Sequence, residues 1–291
     1  MTVKSITHEI SRFETALSEQ GLSAKTEAAY LADVKAFFNA SEDRELSEQT
    51  VRDYLNTMKE SGATDATACR ALSSLRRFFG FLQKSGVTDE DPTRNIRLGV
   101  PKRRVGDVLT VEQTDRYLMS PNINTVKGLR DSAILELLYA TGMTVSELIA
   151  LNVEDWDERF KTVSVVGRKQ SKMQLYPSAY NKLSRYLSTA RDLMAQTSET
   201  ALFVSRTGER LTRQGIWKIF REYATACDFP FAVTPETLRR SLVYHLLQGG
   251  ISDRELMRFL RHENLSATKA LISLLSDKTE NGVFSFHPHA R

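Results

Sequence analysis

Residues 129–157 read LRDSAILELLYATGMTVSELIALNVEDWD, and this stretch carries most of the information about the fold. Its apolar pattern predicts two consecutive helices, one over KGLRDSAILELLYATG (127–142) and one over SELIALN (146–152). Another helix, TVEQTDRYLMS (110–120), is predicted before them. The second part of the chain is therefore expected to open as a helical domain.

A small antiparallel β element is expected next. Residues 160–177, FKTVSVVGRKQSKMQLYP, alternate around Gly167 and predict a β-hairpin with a basic tip. A short strand is predicted at 202–204. Helices are predicted over 178–195, 212–226 and 234–248. The domain over 108–291 is thus expected to be mostly helical.

The first 87 residues predict a separate bundle of four amphipathic helices. This part contains no proline before Pro92, and two apolar stripes at helical spacing begin at Tyr30 and Ala71. Residues 88–107 lack a helical period and read as a linker. The linker holds Lys102, Arg103 and Arg104, a cluster that suits either a solvated connector or a crossing of a phosphate backbone.

Composition narrows the class of protein. The chain has 291 residues, which suits two domains, and its 41% hydrophobic and 26% charged residues are typical of globular proteins. The net charge of +4 is compatible with a polyanionic partner. No signal peptide and no apolar window of membrane-spanning length is present, so a cytoplasmic protein is expected.

Few residues point to metal or thiol chemistry. Cys69 and Cys227 are expected to be buried free thiols. The five histidines are scattered without ligand spacing, so no metal site is expected. No phosphate-binding glycine motif and no nucleophile elbow occurs, which leaves the basic and polar residues at the ends of the predicted elements.

Several segments together resemble a known family. Residues 129–157 resemble the LLYATGLRVSEL region of the Xer-type tyrosine recombinases, which belong to the phage integrase family. Further segments follow in the family's order, and two upstream segments resemble its N-terminal core-binding domain. The downstream segments are 212–229, 233–250 and 259–272, and the upstream segments are 22–38 and 66–92.

The resemblance implies a mainly α, two-domain fold: a four-helix, SAM-like core-binding domain and a mostly helical catalytic-type domain that together clamp duplex DNA. In active members a tyrosine attacks the phosphodiester and forms a 3′-phosphotyrosyl link. Two arginines, a hairpin lysine and two histidines (or a histidine and a tryptophan) assist it by stabilising charge on the phosphoryl oxygens. No cofactor is implied.

Three of the six family positions are replaced in this chain. Thr144 stands where the family has its first arginine, and Glu236 stands where the first histidine belongs. Leu271 occupies the position of the nucleophilic tyrosine, and no tyrosine follows Tyr244. A threonine cannot supply a bidentate cationic clamp, and a leucine cannot attack phosphorus.

The remaining family positions are retained. The hairpin lysine corresponds to Arg168 or Lys169, of which Lys169 is the better proton donor because a guanidinium hardly deprotonates. Arg239 is either a retained phosphate contact or part of a structural ion pair with Glu236 or Glu147. His262, which follows Arg261 where the family has glycine, is either a helix-end residue or an acid–base group.

These substitutions predict a DNA-binding pseudoenzyme that cannot cleave and rejoin DNA. Its partners are expected to be duplex DNA and either a second copy of the chain or an active recombinase. Two alternatives remain: a recombinase with rearranged or partner-supplied chemistry, and an interaction module that no longer binds DNA. The expected DNA contacts are Arg70, Arg76, Arg77, Lys102, Arg103, Arg104, Arg168, Lys169, Lys172, Arg213 and Arg239.

Overall fold

A computed structural model describes residues 3–20, 24–41, 45–98, 107–165, 171–273 and 275. The chain divides into two compact units, Met1–Lys102 and Arg103–Arg291. Both units are mainly helical, and the second contains a small antiparallel sheet, which confirms the expected fold class. The finer domain bounds and the linker over 88–107 stay predictions.

Within its described residues, the first unit consists of four helices around an aromatic core. Phe13, Phe38 and Phe78 pack edge to face at its centre, with ring centroids 5.2 and 5.5 Å apart. Ile96 is also buried in this core. The helices are α1 (Val3–Ser18), α2 (Ala24–Ala40), α3 (Glu48–Glu60) and α4 (Asp65–Lys84).

The second unit contains nine α-helices among its described residues, together with one 3-10 turn, one π-helical turn and three strands. Its helices are α5 (Val111–Met119), α6 (Val126–Thr141), α7 (Val145–Ala150), α8 (Pro177–Tyr186), α9 (Asp192–Met194), α10 (Arg213–Ala226), α11 (Pro235–Gln248), α12 (Asp253–Phe259) and α13 (Leu265–Ile272). The 3-10 turn is Val153–Asp155, the π-helical turn is Leu187–Arg191, and the strands are β1 (Trp156–Asp157), β2 (Thr162–Val165) and β3 (Ser171–Gln174).

Helix α6 is the central element of the second unit. It is buried along almost its whole length, and it carries two buried carboxylates that are paired with side chains of its neighbours. Asp131 accepts a hydrogen bond from the Tyr223 hydroxyl of α10 at 2.9 Å. Glu136 accepts from the Tyr176 hydroxyl at 2.8 Å and from Lys182 of α8 at 2.6 Å. These bonds fix α8 and α10 against α6 without leaving a buried charge unpaired.

The sheet confirms the predicted hairpin and corrects two details. Strands β2 and β3 pair antiparallel from Thr162↔Gln174 to Val165↔Ser171. Strand β1 adds a third strand, which is too short to show alternation in the sequence. The strand predicted at 202–204 is wrong, because the chain there forms only isolated bridges before it turns at Gly208, where φ is 83°.

The expectation that both cysteines are buried free thiols is met in part. Both cysteines are free, and Cys227 is buried, but Cys69 is only partly buried because it lies on the flank of α4. Within the described ranges no group of histidine, cysteine and carboxylate side chains could hold a metal ion. None of the described helices has both the length and the apolar character needed to cross a bilayer.

The start of α6 depends on a close backbone approach at Gly128. A Cβ at Gly128 would lie 1.9 Å from the carbonyl oxygen of Asn122. We therefore expect Gly128→Ala to lower the free energy of unfolding by about 1–3 kcal/mol, measured by urea denaturation. The matched control is Gly80→Ala on α4, where no atom lies within 4 Å of the added Cβ. It should be neutral or stabilising by about 0.5–1 kcal/mol, and equal losses at both sites would contradict the packing argument.

Candidate functional site

The described residues at the predicted family positions lie at four elements of the second unit: the start of α7, the first turns of α11, the turn after α12, and α13. Gly142 ends α6 in the left-handed conformation, with φ at 57°. A Cβ there would lie 3.0 Å from Leu242 of α11, so a glycine lets the chain pass closely over α11. This turn places Thr144 at the first residue before α7.

Thr144 acts as the N-cap of α7. Its hydroxyl accepts a hydrogen bond from the backbone N–H of Glu147 at 3.3 Å. In return, the Glu147 carboxylate accepts from the backbone N–H of Thr144 at 2.6 Å, which completes a capping box. The threonine that replaces the family arginine therefore stabilises the helix end.

Arg261 brings a second guanidinium to the same carboxylate. Its Nη2 lies 3.4 Å from both oxygens of Glu147, and its Nη1 contacts the sulfur of Met173 on β3. The backbone of Arg261 has φ at 58°, the left-handed region that costs a non-glycine residue roughly 1–2 kcal/mol. Among the described residues, its buried Nε has no hydrogen-bond partner.

Arg239, His262 and Thr268 form a chain of hydrogen-bonded side chains. The Nη2 of Arg239 lies 3.2 Å from Nε2 of His262, whose Nδ1 lies 2.9 Å from the hydroxyl of the buried Thr268 on α13. A guanidinium can only donate, so Nε2 accepts and the imidazole proton sits on Nδ1. The ion pair of Arg239 with Glu236 or Glu147, one of the two alternatives, does not occur among the described side chains.

Charge and burial fix the ionisation of this group. Burial lowers the pKa of Arg239, and the charges of Glu236 and Glu147 oppose that effect. Burial, together with the charges of Arg239 and Arg261, lowers the pKa of His262 below its ordinary value, so the imidazole is neutral at physiological pH. Burial raises the pKa of Glu147, but the hydrogen bond from Thr144 and the charge of Arg261 outweigh it and leave the pKa lowered.

The two other replaced positions differ in burial. Glu236 is exposed in the first turn of α11, where a carboxylate is favourable at a helix N-terminus. Leu271 packs on α13 against a small core that contains Val243, Leu256 and Leu260. A packed apolar side chain therefore occupies the position predicted for the family's nucleophile.

The expected DNA contacts on α4 all have partners within the first unit. Arg70 donates to Asp33 at 2.6 Å, and Arg76 donates to the carbonyl of Ile96. Arg77 donates to Gln20 and lies over the ring of Tyr30. All three side chains are nevertheless exposed, so these partners do not exclude contact with DNA.

In the second unit, Lys172 is exposed on β3, and Arg213 is exposed at the start of α10, where it donates to Ser146 of α7. Arg168 and Lys169 at the hairpin tip, and Lys102, Arg103 and Arg104, lie outside the described residues. Their predicted roles stay predictions.

A basic and aromatic groove runs along α10. Arg213, Trp217 and Arg221 recur at intervals of four residues on one face, and the indole of Trp217 is 48% exposed. Together with Phe229 and Phe231 they line a groove of about 930 Å³. Trp217 was not among the predicted contacts, although its spacing from Arg213 and Arg221 is visible in the sequence.

The comparisons with known proteins agree with this architecture. Residues 107–274 match the phage integrase family, and residues 10–86 match the N-terminal SAM-like domain of phage integrases. The chain belongs to the phage integrase family. The tyrosine recombinase XerD of Oceanobacillus iheyensis is 35% identical over 284 residues, which cover 94% of this chain and 95% of the relative. The predicted family is confirmed.

Two solved structures share the fold of this chain. The Tn1549 transposon integrase in complex with transposon right end DNA superposes with a TM-score of 0.75 at 15% identity, covering 93% of this chain and 98% of that one. A lambda integrase dimer bound to a COC′ core site gives a TM-score of 0.70 at 20% identity, covering 92% and 97% of the two chains.

Against the family pattern, Arg261 is the residue whose role sequence reasoning missed. Its replacement of a glycine was visible, but the ion pair with Glu147, 114 positions away, was not. A signal was present, because an arginine at a position where the family has glycine adds both a charge and backbone strain.

The pKa of His262 is a direct test of the described pairing. We expect His262 to titrate below its ordinary value of 6.5, because burial and the nearby guanidiniums disfavour the imidazolium. The folded state then binds its proton less readily than the unfolded state, so stability should fall as pH drops below 6.5 towards the folded pKa. Replacing Arg239 by methionine should raise the pKa of His262 towards 6.5.

An NMR titration of the His262 ring protons measures these values. The matched control is Arg258→Met, which removes an equal charge from an exposed position on α12 and should leave the titration unchanged. A wild-type pKa at or above 6.5 would refute the pairing.

Proposed function

We propose that this member of the phage integrase family binds duplex DNA but does not form a covalent phosphotyrosyl link. The observation that carries the proposal is Leu271, an apolar side chain packed against a small core at the nucleophile position. The chain has no tyrosine after Tyr244 that could replace it. Without a nucleophile the covalent route is lost outright.

Two further features support the loss of chemistry. The hydroxyl of Thr144 caps α7, so this position supplies no cation to a phosphate. The Nε2 of His262 accepts from Arg239, so the imidazole holds no proton there for a leaving oxygen. Removing a single group that stabilises the transition-state charge typically costs about 10²–10³ in rate, and here several groups are changed together.

DNA binding is supported by side chains that lie outside the family's catalytic positions. The α10 groove combines Arg213 and Arg221 with an exposed Trp217, a combination suited to phosphates and sugar surfaces. Lys102, Arg103 and Arg104 add a cluster of positive charge in the sequence. Structural neighbours with the same fold were solved bound to DNA.

The proposed partners are duplex DNA and either a second copy of this chain or an active recombinase. A partner subunit that supplies the missing tyrosine would make the chain part of an active assembly. The second alternative is an interaction module that no longer binds DNA, and it predicts no binding to any duplex. The assay that follows, run with this chain alone, separates the second alternative from the proposal. A tyrosine supplied by a partner would give an adduct only when that partner is added.

The test is trapping on nicked duplex DNA that carries a sequence selected by this protein from a random pool. We expect salt-dependent binding and no covalent protein–DNA species, because Leu271 cannot attack phosphorus. A band that survives denaturation and disappears on protease treatment would refute the loss of chemistry. If no duplex is selected at low salt, DNA binding itself is refuted.

Reversal of the substitutions gives a second test. Leu271→Tyr alone should give no adduct, because a phenol with a pKa near 10 needs a phosphate that is held and polarised. A detectable adduct should appear only when Thr144→Arg and Glu236→His are added, since such groups act as a unit. The matched control is Leu271→Phe in the same double background, which has the ring but no hydroxyl. An adduct from Leu271→Tyr alone, at a rate near that of the triple variant, would contradict the account.

A further inference from the structure

Arg261 is a buried cation whose bonding is incomplete. Its side chain is 9% exposed, and its ion-pair partner, Glu147, is 23% exposed. The two Nη2–Oε distances of 3.4 Å are long for a charge-assisted hydrogen bond. The Nε of Arg261 is buried and has no partner among the described residues, although a guanidinium offers five donors.

The carboxylate that faces Arg261 is already engaged. Glu147 accepts the backbone N–H of Thr144 at 2.6 Å, which is a much shorter contact than its contact with Arg261. Its main bond therefore belongs to the cap of α7. Arg261 pairs with the lone pairs of the Glu147 carboxylate that the cap leaves free.

A second guanidinium adds to the excess of positive charge. Arg239 is close enough for the charge of Arg261 to lower its pKa, and among the described residues its hydrogen-bond partner is the neutral His262. The buried group thus contains two guanidiniums and one carboxylate. Glu236 also faces Arg239, but it is exposed to solvent, which weakens its effect.

The backbone strain at Arg261 indicates that the arginine is not a neutral replacement for the family's glycine. With φ at 58°, glycine is the residue that fits the backbone without cost. The chain instead places a long cationic side chain there, between the start of α7 and Met173 of β3. A structural ion pair alone would leave the buried Nε unsatisfied.

We propose that Arg261 binds a phosphodiester of the DNA backbone together with Arg239, and that Glu147 holds the Arg261 guanidinium in place until the phosphate arrives. The inference rests on the proposed DNA binding. An anionic oxygen would satisfy the unpartnered N–H and balance the excess positive charge. Arg261 then supplies a cation at a site where position 144 supplies none.

The test measures the affinity of the full chain for a fluorescent duplex of random sequence over a range of salt concentrations. Arg261→Ala keeps the Cβ and the backbone strain but removes the guanidinium. We expect it to bind about tenfold more weakly at low salt, and to flatten the plot of log affinity against log salt by about 0.9. Arg261→Lys, which retains the charge, should recover most of the slope.

Glu147→Gln separates a ligand role from a structural role. A glutamine keeps the hydrogen bond that caps α7 but removes the carboxylate that competes with phosphate. We expect this variant to bind the duplex several-fold more tightly than wild type. A purely structural ion pair predicts the opposite, since both Arg261→Ala and Glu147→Gln would then lower stability and weaken binding together.

Arg206→Ala is the control for net charge, because Arg206 is exposed in the turn after Val204. Thermal unfolding of each variant shows that it is folded at the assay temperature. An Arg261→Ala slope equal to wild type, or weaker binding by Glu147→Gln, refutes this site while DNA binding by wild type stands. If wild type binds no duplex, the proposed function fails and this inference fails with it.

Discussion

The carboxylate of Glu147 is the group on which the rest of the site depends. It caps α7 through the backbone N–H of Thr144, and it holds the guanidinium of Arg261 beside β3. In a family whose chemistry requires positive charge around a phosphate, this chain uses position 144 for a helix cap and carries its additional cation on the turn after α12. The proposed loss of the nucleophile, together with these cations, is the basis on which we expect binding without cleavage.

The packing around α13 supports the proposed loss of the nucleophile. Thr268 accepts from His262, which in turn accepts from Arg239, so α13 is tied to α11 through two hydrogen bonds. Leu271 lies three residues further along α13 and contributes to the core with Leu256 and Leu260. Because Leu271 packs against this core, we expect that a tyrosine introduced there alone does not rebuild the active arrangement.

The sequence predicted those features that depend on local pattern. The helices around 129–157 and the hairpin were readable because periodicity and spacing specify them. The replacement of the nucleophile by Leu271 was inferred from spacing within the family motif and stays a prediction. Contacts between distant segments were not readable. The pairing of Arg239 with His262, in place of the ion pair considered with Glu147, depends on how α11 meets the turn after α12. Arg261 was visible as a substitution, but its left-handed backbone and its contact with Glu147 required the fold.

The most direct measurement of the central claim is a structure of the full chain bound to duplex DNA that carries its selected sequence. The account predicts an intact phosphodiester held between the guanidiniums of Arg239 and Arg261, with Leu271 still packed against Leu256 and Leu260. A phosphate covalently joined to a side chain would contradict the claim. DNA bound elsewhere on the protein, with Arg261 still paired to Glu147 alone, would contradict it equally.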